Sequence, residues 1–326
     1  MGSNNEQNLD ILKIFKNLSK NKENLDNISF FVLVRDKIKK DYKLWDIDFD
    51  SNLRGIILQN LNEQLNDNMF TLTIAFEPIN KTVDDHVEII NKNEVSNLED
   101  ILNDIKGSDL EEFDYKNESY EVWAFISVIT LDEMDDFGFH KQIISFQKAR
   151  KIELVKEKRF LSIFQKQGTY KNLENNKNIL NIDKKMDCIL YEENLLIFNH
   201  YNFELLFRFL QKYKNSIKSK LENLELDDKI INYEKLYDEI ENNPNCLKKL
   251  YSAIKNNRLD KINTEKIHSL KEGGYVNIEM HNGKAVIDYK NVKKIIKVLE
   301  QDYVKDALSD DKFVTNPSGG KSKIED

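Results

Sequence analysis

The chain has 326 residues, 40% of them hydrophobic, and a formal net charge of −8, which is enough material for two domains with a substantial core. Two cysteines exclude a disulfide framework, and no apolar run approaches the length needed to cross a bilayer. The first residues lack a secretory pattern, so we expect a cytoplasmic protein whose two cysteines are small buried hydrophobes.

The first part of the chain alternates helices with short strands. Helical spacing of apolar residues predicts helices over 9–18, 51–65 and 98–105, the second with a serine or asparagine cap. Runs rich in β-branched and aromatic residues predict strands over 29–34, 70–76 and 120–131. The last of these is the longest strand that the pattern indicates.

Charge divides the chain near residue 138. Residues 84–136 contain 17 acidic side chains and three lysines, whereas residues 141–185 contain 12 basic and four acidic side chains. A loop rich in turn residues separates the two stretches. We therefore predict an acidic N-terminal domain over 1–138, a basic C-terminal domain over 139–317 and a flexible tail over 318–326.

The second part begins with strands over 141–152 and 161–168. Two apolar runs, CILY and LLIF, flank Glu192 and Glu193 and predict a β-hairpin. Asn202 then caps one long helix, with Phe203, Leu206, Phe207, Leu210 and Tyr213 near one face.

Three more helices are predicted over 233–241, 244–256 and 263–271. A second hairpin follows, turning at 281–283, and an amphipathic helix over 290–304 completes the domain. The whole pattern indicates an α+β protein with mixed or antiparallel sheets and no transmembrane segment.

Few residues indicate catalysis. The five histidines have no metal-ligand spacing, so we expect no metal site and no cofactor. One constellation resembles a metal-dependent nuclease, in which carboxylates hold a divalent cation and a lysine polarises phosphate: Glu279 on one hairpin strand, with Asp288 and Lys290 on the next. The alternative is that Asp288 caps the last helix and Lys290 lies on its exposed face.

Several segments in order resemble the KwaB-like family, the non-membrane component of the two-protein Kiwa anti-phage defence system. The resemblance rests on IISFQKARKI, DCILYEENLLIFNHYNFELLFRF, CLKKLYSAIKNN, VNIEMHNGKAVIDYKN and IIKVLEQDYVKDALSDDKFV, and it covers a little over half of the chain. It implies a bacterial DNA-binding effector that self-associates as a homodimer or a higher homo-oligomer. It also implies a multi-spanning membrane partner, KwaA, that recruits the protein to the inner face of the cell membrane. The resemblance further implies that the protein blocks phage DNA replication and late gene expression. The family has no established catalytic triad that could be assigned to residues of this chain.

Lysine and arginine residues in the basic part are the expected DNA contacts. Lysine is a point charge suited to phosphates, so binding is expected to be largely independent of sequence. The candidates are Lys148, Arg150, Lys151, Lys156, Lys158, Arg159, Lys290, Lys293, Lys294 and Lys297. Two alternatives stay open: the metal-dependent nuclease, and an adaptor that does not bind DNA and docks through its acidic stretch 109–121.

Overall fold

The structure is a computed structural model of the chain. It describes residues 27–67, 72–79, 86–107, 110–113, 119–135, 137–149, 163–166, 169–172, 182–226, 230–231, 233–257, 268–269, 271–274, 279–282, 284–286, 294, 296–297, 303–305, 312–315 and 321–323. The chain forms two compact units, one over 1–76 and 83–208 and the other over 77–82 and 209–326.

A nine-stranded sheet forms the centre of the first unit. Its strands are β1 (Ile28–Asp36), β2 (Tyr42–Asp46), β3 (Leu72–Ala75), β4 (His86–Asn91), β5 (Glu111–Glu112), β6 (Tyr120–Met134), β7 (His140–Lys148), β10 (Cys188–Tyr191) and β11 (Asn194–Ile197). They lie in the order β3-β4-β11-β10-β7-β6-β1-β2-β5. The intervening β8 (Ile163–Lys166) and β9 (Thr169–Asn172) form a separate antiparallel pair.

Parallel pairing is confined to the two ends of this sheet. The pairs β3–β4 and β2–β5 are parallel, and the other neighbours are antiparallel. The sheet is therefore mixed, and the predicted α+β class is confirmed. Sequence patterns located β1, β3, β6, β7, β10 and β11 but missed β2, β4 and β5, which are short and contain charged residues.

Helix α1 (Ser51–Asp67) covers one face of the sheet. Its Ile57, Leu58 and Leu61 belong to the same buried cluster as Phe30 and Ile143. The cap differs from the expected serine or asparagine. Asp50 supplies it, since its Oδ1 accepts a hydrogen bond from Leu53 N at 2.8 Å. Helix α2 (Leu98–Lys106) forms where the sequence predicts it.

Helix α3 (His200–Leu206) packs on the opposite face. Side chains alternate along β7, so Phe146 lies on the other side from Ile143, and it makes an edge-on contact with Phe207 at 5.3 Å. Asn199 caps this helix and not the predicted Asn202, because the Asn199 side chain accepts a hydrogen bond from Asn202 N at 3.1 Å.

The predicted long helix is two helices. Arg208 has a positive φ of 53°, which ends the hydrogen-bonding pattern before α4 (Phe209–Leu226) begins. Tyr213 is buried as expected, but Leu210 is 41% exposed. Leu210 therefore does not lie on the buried face on which the helical spacing places it together with Tyr213.

The second unit contains α4 together with α5 (Tyr233–Ile240), α6 (Pro244–Lys255) and short strands. Tyr213 of α4 contacts Tyr251 of α6 at 4.6 Å between ring centroids. The strands are β12 (Ile230–Ile231), β13 (Met280–His281), β14 (Lys284–Val286), β15 (Tyr303–Lys305), β16 (Lys312–Thr315) and β17 (Lys321–Lys323). β13 and β14 form the second predicted hairpin.

Two expectations for the end of the chain differ from the structure. β17 lies within the predicted flexible tail and pairs with β16. Tyr303, expected on the last amphipathic helix, lies in β15 and pairs with Val314 of β16. In the strand 303–305, the backbone N–H and C=O groups find their hydrogen-bond partners on a neighbouring strand. Helical spacing of apolar residues in the sequence does not reveal such a pairing.

The boundary expected at residue 138 lies in the turn between β6 and β7. The pairing of these strands runs from Ala124 opposite Lys148 to Met134 opposite His140. The sheet therefore continues through the change of charge. The division between the two compact units follows Arg208, and the domain boundary at residue 138 stays a prediction. Within the residues that the structure describes, no helix is both long and apolar enough to cross a membrane.

Candidate nucleic-acid interface

A row of alternating cationic and aromatic side chains crosses four neighbouring strands of the sheet. It contains Lys148 of β7, Trp123 of β6, Arg35 of β1 and Tyr42 of β2, and the strands lie in that order. Arg208, which follows α3, contacts Tyr42 and completes the set. We call these five residues the cation–aromatic row.

A β-bulge positions the indole of Trp123. The register between β1 and β6 shifts from Leu33–Ala124 to Val34–Val122, so Trp123 has no opposite residue in β1. A bulge bends its strand and redirects the extra side chain. The Trp123 ring consequently meets Tyr42 edge-on, with 5.4 Å between centroids and 75° between planes.

Cations lie close to both rings. The Lys148 ammonium is 3.8 Å and the Arg35 guanidinium 4.8 Å from the centre of the Trp123 ring. The Arg208 guanidinium is 4.1 Å from the centre of Tyr42. Contacts of this kind hold a cation in place without neutralising its charge, because the ring contributes only a quadrupole.

Hydrogen bonds to the main chain fix two of these cations further. Lys148 Nζ donates to the carbonyl oxygens of Trp123 at 2.9 Å and Ala149 at 3.2 Å. Arg208 Nη2 donates to the carbonyl oxygen of Lys40 at 2.6 Å. These carbonyl acceptors are uncharged, so both side chains keep their positive charge while losing side-chain freedom.

The carboxylate of Glu121 lies near the row. Glu121 Oε1 is 3.6 Å from Arg35 Nη1, and the Arg35 side chain is 25% exposed. Among the described residues, Arg35 Nε and Trp123 Nε1 are buried donors with no hydrogen-bond partner. The row contains three cations, and two carboxylates lie beside it, Glu121 and the buried Asp187 next to Lys148 N. The net charge of the row is therefore positive, which suits an anion.

Asp187 joins the end of β7 to the start of α3. Its buried carboxylate accepts from Lys148 N at 2.6 Å through Oδ2 and from Asn202 Nδ2 at 2.7 Å through Oδ1. Burial, followed by the charge of Asp187, raises the pKa of the adjacent Cys188 thiol. Cys188 is fully buried, as expected, whereas Cys246 is half-buried. This cluster fixes the backbone that carries Lys148.

His200 lies in a second polar cluster on the α3 side of the sheet. Its Nδ1 is 2.7 Å from Glu88 Oε2 and its Nε2 is 3.4 Å from Glu204 Oε1, and Phe76 stacks on the ring. Burial alone would lower the pKa of His200, but Glu204 and Glu88 together raise it to about 9. The histidine is therefore a cation between two carboxylates at neutral pH, which is a structural ion cluster.

The comparison with protein families identifies the segment that carries Lys148 and Arg208. A family model described as "Kiwa protein KwaB-like" matches residues 137–309, a little over half of the chain. The chain belongs to the KwaB-like family. It is therefore a component of a Kiwa anti-phage defence system, which has more than one protein component. No curated protein and no solved structure was found to match the chain.

The family match leaves much of the row outside it. Lys148 and Arg208 lie within 137–309, whereas Arg35, Tyr42 and Trp123 precede it. The resemblance stated from the sequence is confirmed by this match. The row itself was not predicted, apart from Lys148, because its members come from four strands and a helix end that are far apart in sequence.

The structure describes only part of the predicted DNA-binding set. Lys148 is half-buried in the row, Lys294 is exposed and Lys297 is half-buried. The remaining predicted contacts lie outside the described residues: Arg150, Lys151, Lys156, Lys158, Arg159, Lys290 and Lys293.

The nuclease constellation is likewise only partly described. Glu279 is exposed, and Asp288 and Lys290 lie outside the described residues. Within the described part of the chain, no group of three or more histidine, cysteine, aspartate or glutamate side chains is arranged to hold a metal ion.

Two sequence signals for the row exist in retrospect. Arg35 ends a run of buried apolar residues, where an arginine must reach solvent or a partner. Trp123 is the fourth residue of the longest strand and lies two residues after Glu121. Neither signal reveals which cation meets which ring, since that depends on strand order.

Proposed function

We propose that this KwaB-like protein binds duplex DNA through its phosphate backbone, largely without sequence specificity, as its part in Kiwa defence. In this proposal it acts as a homodimer or higher oligomer in the cytoplasm. A KwaA-like membrane partner recruits it to the inner face of the membrane, and together they block phage DNA replication and late expression. The proposal requires no cofactor and no bond cleavage.

The cation–aromatic row is the observation that supports DNA binding best. It presents three cations on one sheet face, each held by a ring or a carbonyl oxygen. Phosphate contacts from such groups position nucleic acid without reading bases. Lys148 also begins the basic stretch that continues through Arg159, so we propose that the predicted lysines and arginines extend the same contact surface.

The direct test is a salt titration of DNA affinity. Fluorescence anisotropy with two 25-base-pair duplexes of unrelated sequence should give similar Kd values that rise steeply with salt. Each phosphate contact contributes about 0.9 to the slope of log Kobs against log salt, so a surface with five contacts predicts a slope near −4.5. The same titration with single-stranded and forked DNA identifies the preferred structure. No binding to any of these DNAs at 50 mM salt would contradict the proposal.

A matched pair of variants tests the row. We expect Arg208→Gln to reduce the magnitude of the salt slope by about 1, because one phosphate contact is lost. The control is Lys92→Gln, which removes one charge next to β4, at the opposite end of the sheet from β2. Circular dichroism melting of both variants checks that the fold is kept. Equal slopes for Arg208→Gln, Lys92→Gln and the unsubstituted protein would remove Arg208 from the contact surface.

A second observation supports the adaptor alternative. The turn between β6 and β7 exposes Phe137 by 85% and Phe139 by 72%, next to the exposed acidic side chains of Glu133 and Asp135. Exposed aromatic residues on a fixed turn are common at protein contacts. If the adaptor function is the whole function, the protein has no DNA affinity at low salt, and Phe137→Ser with Phe139→Ser abolishes association with the membrane partner.

A further inference from the structure

The turn that joins β1 to β2 is a second basic element of the same unit. It has the sequence Asp36-Lys37-Ile38-Lys39-Lys40-Asp41, and Lys43 follows one residue into β2. All four lysine side chains are exposed. In the sequence this turn belongs to the acidic part of the chain, since the summed charge of a long segment does not show where its lysines cluster.

An apolar side chain projects from the middle of this turn. Ile38 is 90% exposed, more than any other large hydrophobic residue that the structure describes. A scattered exposed isoleucine needs no explanation by itself. Its position at the tip of a hairpin, between lysines on both sides, is a different arrangement, because it presents an apolar group in a cationic setting.

Hydrogen bonds hold the turn in one conformation. Asp36 Oδ1 accepts from Ile38 N and from Lys39 N, each at 2.8 Å. Asp36 N donates to Asp41 O at 2.9 Å, and Lys37 N donates to Ser119 O at 3.0 Å. Bonds from the Lys39 and Ile38 amides hold the pKa of Asp36 below its usual value. A turn fixed in advance loses little entropy when it binds a partner.

Cations lie on both faces of this hairpin. Arg35 pairs with Tyr42, and the next pair along the ribbon is Val34 with Lys43. Successive residues of a strand point to opposite faces, so Arg35 and Lys43 are on opposite sides. Arg208 donates to Lys40 O and adds charge on the Arg35 side. Lys43 lies 5.7 Å from the centre of the Tyr120 ring on the other side.

The chemistry of the turn selects one DNA groove. The tip carries exposed lysines on both sides of one exposed isoleucine, which combines phosphate contacts with an apolar group that can be inserted. The minor groove is bordered by two phosphate strands about 6 Å apart, so only a narrow tip enters it. Proteins that bend DNA from this groove combine Lys or Arg with an inserted apolar side chain such as Ile.

We propose that the β1–β2 turn inserts into the minor groove of duplex DNA, with Ile38 between base pairs and lysines on the two bordering phosphate strands. Lys39 and Lys43 provide contacts on either side of the tip, and Arg35 and Arg208 of the cation–aromatic row continue the contact along one strand. This inference rests on the proposed function, since it names the element and the groove through which DNA is bound.

Two substitutions separate the apolar contact from the charged ones. Ile38→Ser should weaken duplex binding by about tenfold, the equivalent of burying one apolar side chain, and leave the salt slope unchanged. Lys39→Gln with Lys43→Gln should reduce the magnitude of the slope by about 2, since each phosphate contact contributes about 0.9. DNA bending is measured by energy transfer between dyes at the two ends of a 25-base-pair duplex. It should disappear in Ile38→Ser and remain in the double lysine variant.

The controls carry the same chemical changes at other places. Ile56→Ser removes a 45% exposed isoleucine from α1, close to Arg54, which donates to Ile28 O at the other end of β1. Lys92→Gln removes a charge at the far end of the sheet. Both controls should retain affinity and bending, and melting curves for all variants should show that the fold is intact.

The outcomes are distinguishable from failure of the proposed function. If the unsubstituted protein does not bind DNA, the proposed function fails and this inference fails with it. If it binds DNA and Ile38→Ser matches Ile56→Ser in affinity and bending, the insertion is overturned while DNA binding stands. Binding to vesicles that contain phosphatidylserine is measured for the same variants. Loss of vesicle binding in both turn variants, with DNA binding unchanged, would overturn the inference in favour of a membrane surface.

Discussion

His200 shows how strongly the tertiary structure alters a residue that the sequence leaves unremarkable. It is one of five scattered histidines, yet Glu88 from β4 and Glu204 from α3 both approach its ring. Glu88 and Glu204 are themselves buried. Removing the cation from such a cluster leaves two carboxylates in a low-dielectric environment, which is costly.

We expect His200→Gln to lower the free energy of unfolding by about 3 kcal/mol near pH 6. The folded-state pKa of about 9 exceeds the ordinary value of 6.5, so the stabilisation by His200 is fully present below pH 6.5 and is lost as the pH rises through 9. The difference between the variant and the unsubstituted protein should therefore shrink from pH 6 to pH 10. Urea unfolding at a series of pH values measures it.

The matched control is His268→Gln. His268 is 58% exposed and pairs with Glu272 at 3.1 Å, so its removal should change stability by less than about 1 kcal/mol at every pH. A pH-independent effect of His200→Gln would show that its cost comes from packing and not from charge.

At the scale of single elements, local hydrogen bonds determine where the helices begin. Asn199 has an extended conformation and its side chain accepts from Asn202 N, which satisfies one of the first free amides of α3. Both predicted caps were placed at the wrong residue, Asn202 for α3 and a serine or asparagine for α1. Polar residues suited to capping cluster at both helix starts, and only the backbone angles show which of them caps.

We expect Asn199→Ala to reduce the free energy of unfolding by about 1 kcal/mol, because the Asn202 amide loses its acceptor. Asn199→Asp keeps a side-chain oxygen in the same place and should be close to neutral. Denaturant unfolding monitored by far-ultraviolet circular dichroism compares the two. A cost for Asn199→Asp equal to that of Asn199→Ala would show that the effect does not come from capping.

At the scale of the whole molecule, the change of charge and the division of structure fall at different places. Charge changes sign near residue 138, but β6 and β7 on either side of it pair along most of their length. The family match also begins at residue 137, in the turn between these strands. The matched segment therefore contains three of the nine strands of the sheet, β7, β10 and β11, and the other six precede it.

A fragment covering residues 139–326 tests whether the sheet needs its earlier strands. We expect the amides of β7 and β10 to exchange rapidly with solvent in the fragment and slowly in the full chain, since β7 loses its partner β6. Hydrogen exchange read by mass spectrometry separates these strands from the second unit. Protected β7 and β10 amides in the fragment would support the predicted boundary at residue 138.

Much of the secondary structure and the family were accessible from the sequence. Runs such as SFFVLV and the CILY and LLIF pair predict strands because their apolar spacing is local, and all of them form strands. The break at Arg208 was not predictable in the same way, since the residues on either side keep a helical pattern through it. The order of segments in the basic part indicated the KwaB-like family, which the family model confirms.

By itself, the sequence determined the α+β class, most element positions and the family, because each depends on short-range periodicity or on a recognisable order of segments. Tertiary structure alone decided which charges act together. Strand order brings Arg35 and Tyr42 from the acidic part beside Lys148 and Arg208 from the basic part. Neighbouring strands lie about 5 Å apart whatever their separation in sequence, so a count of charge along the chain does not reveal a surface built across strands.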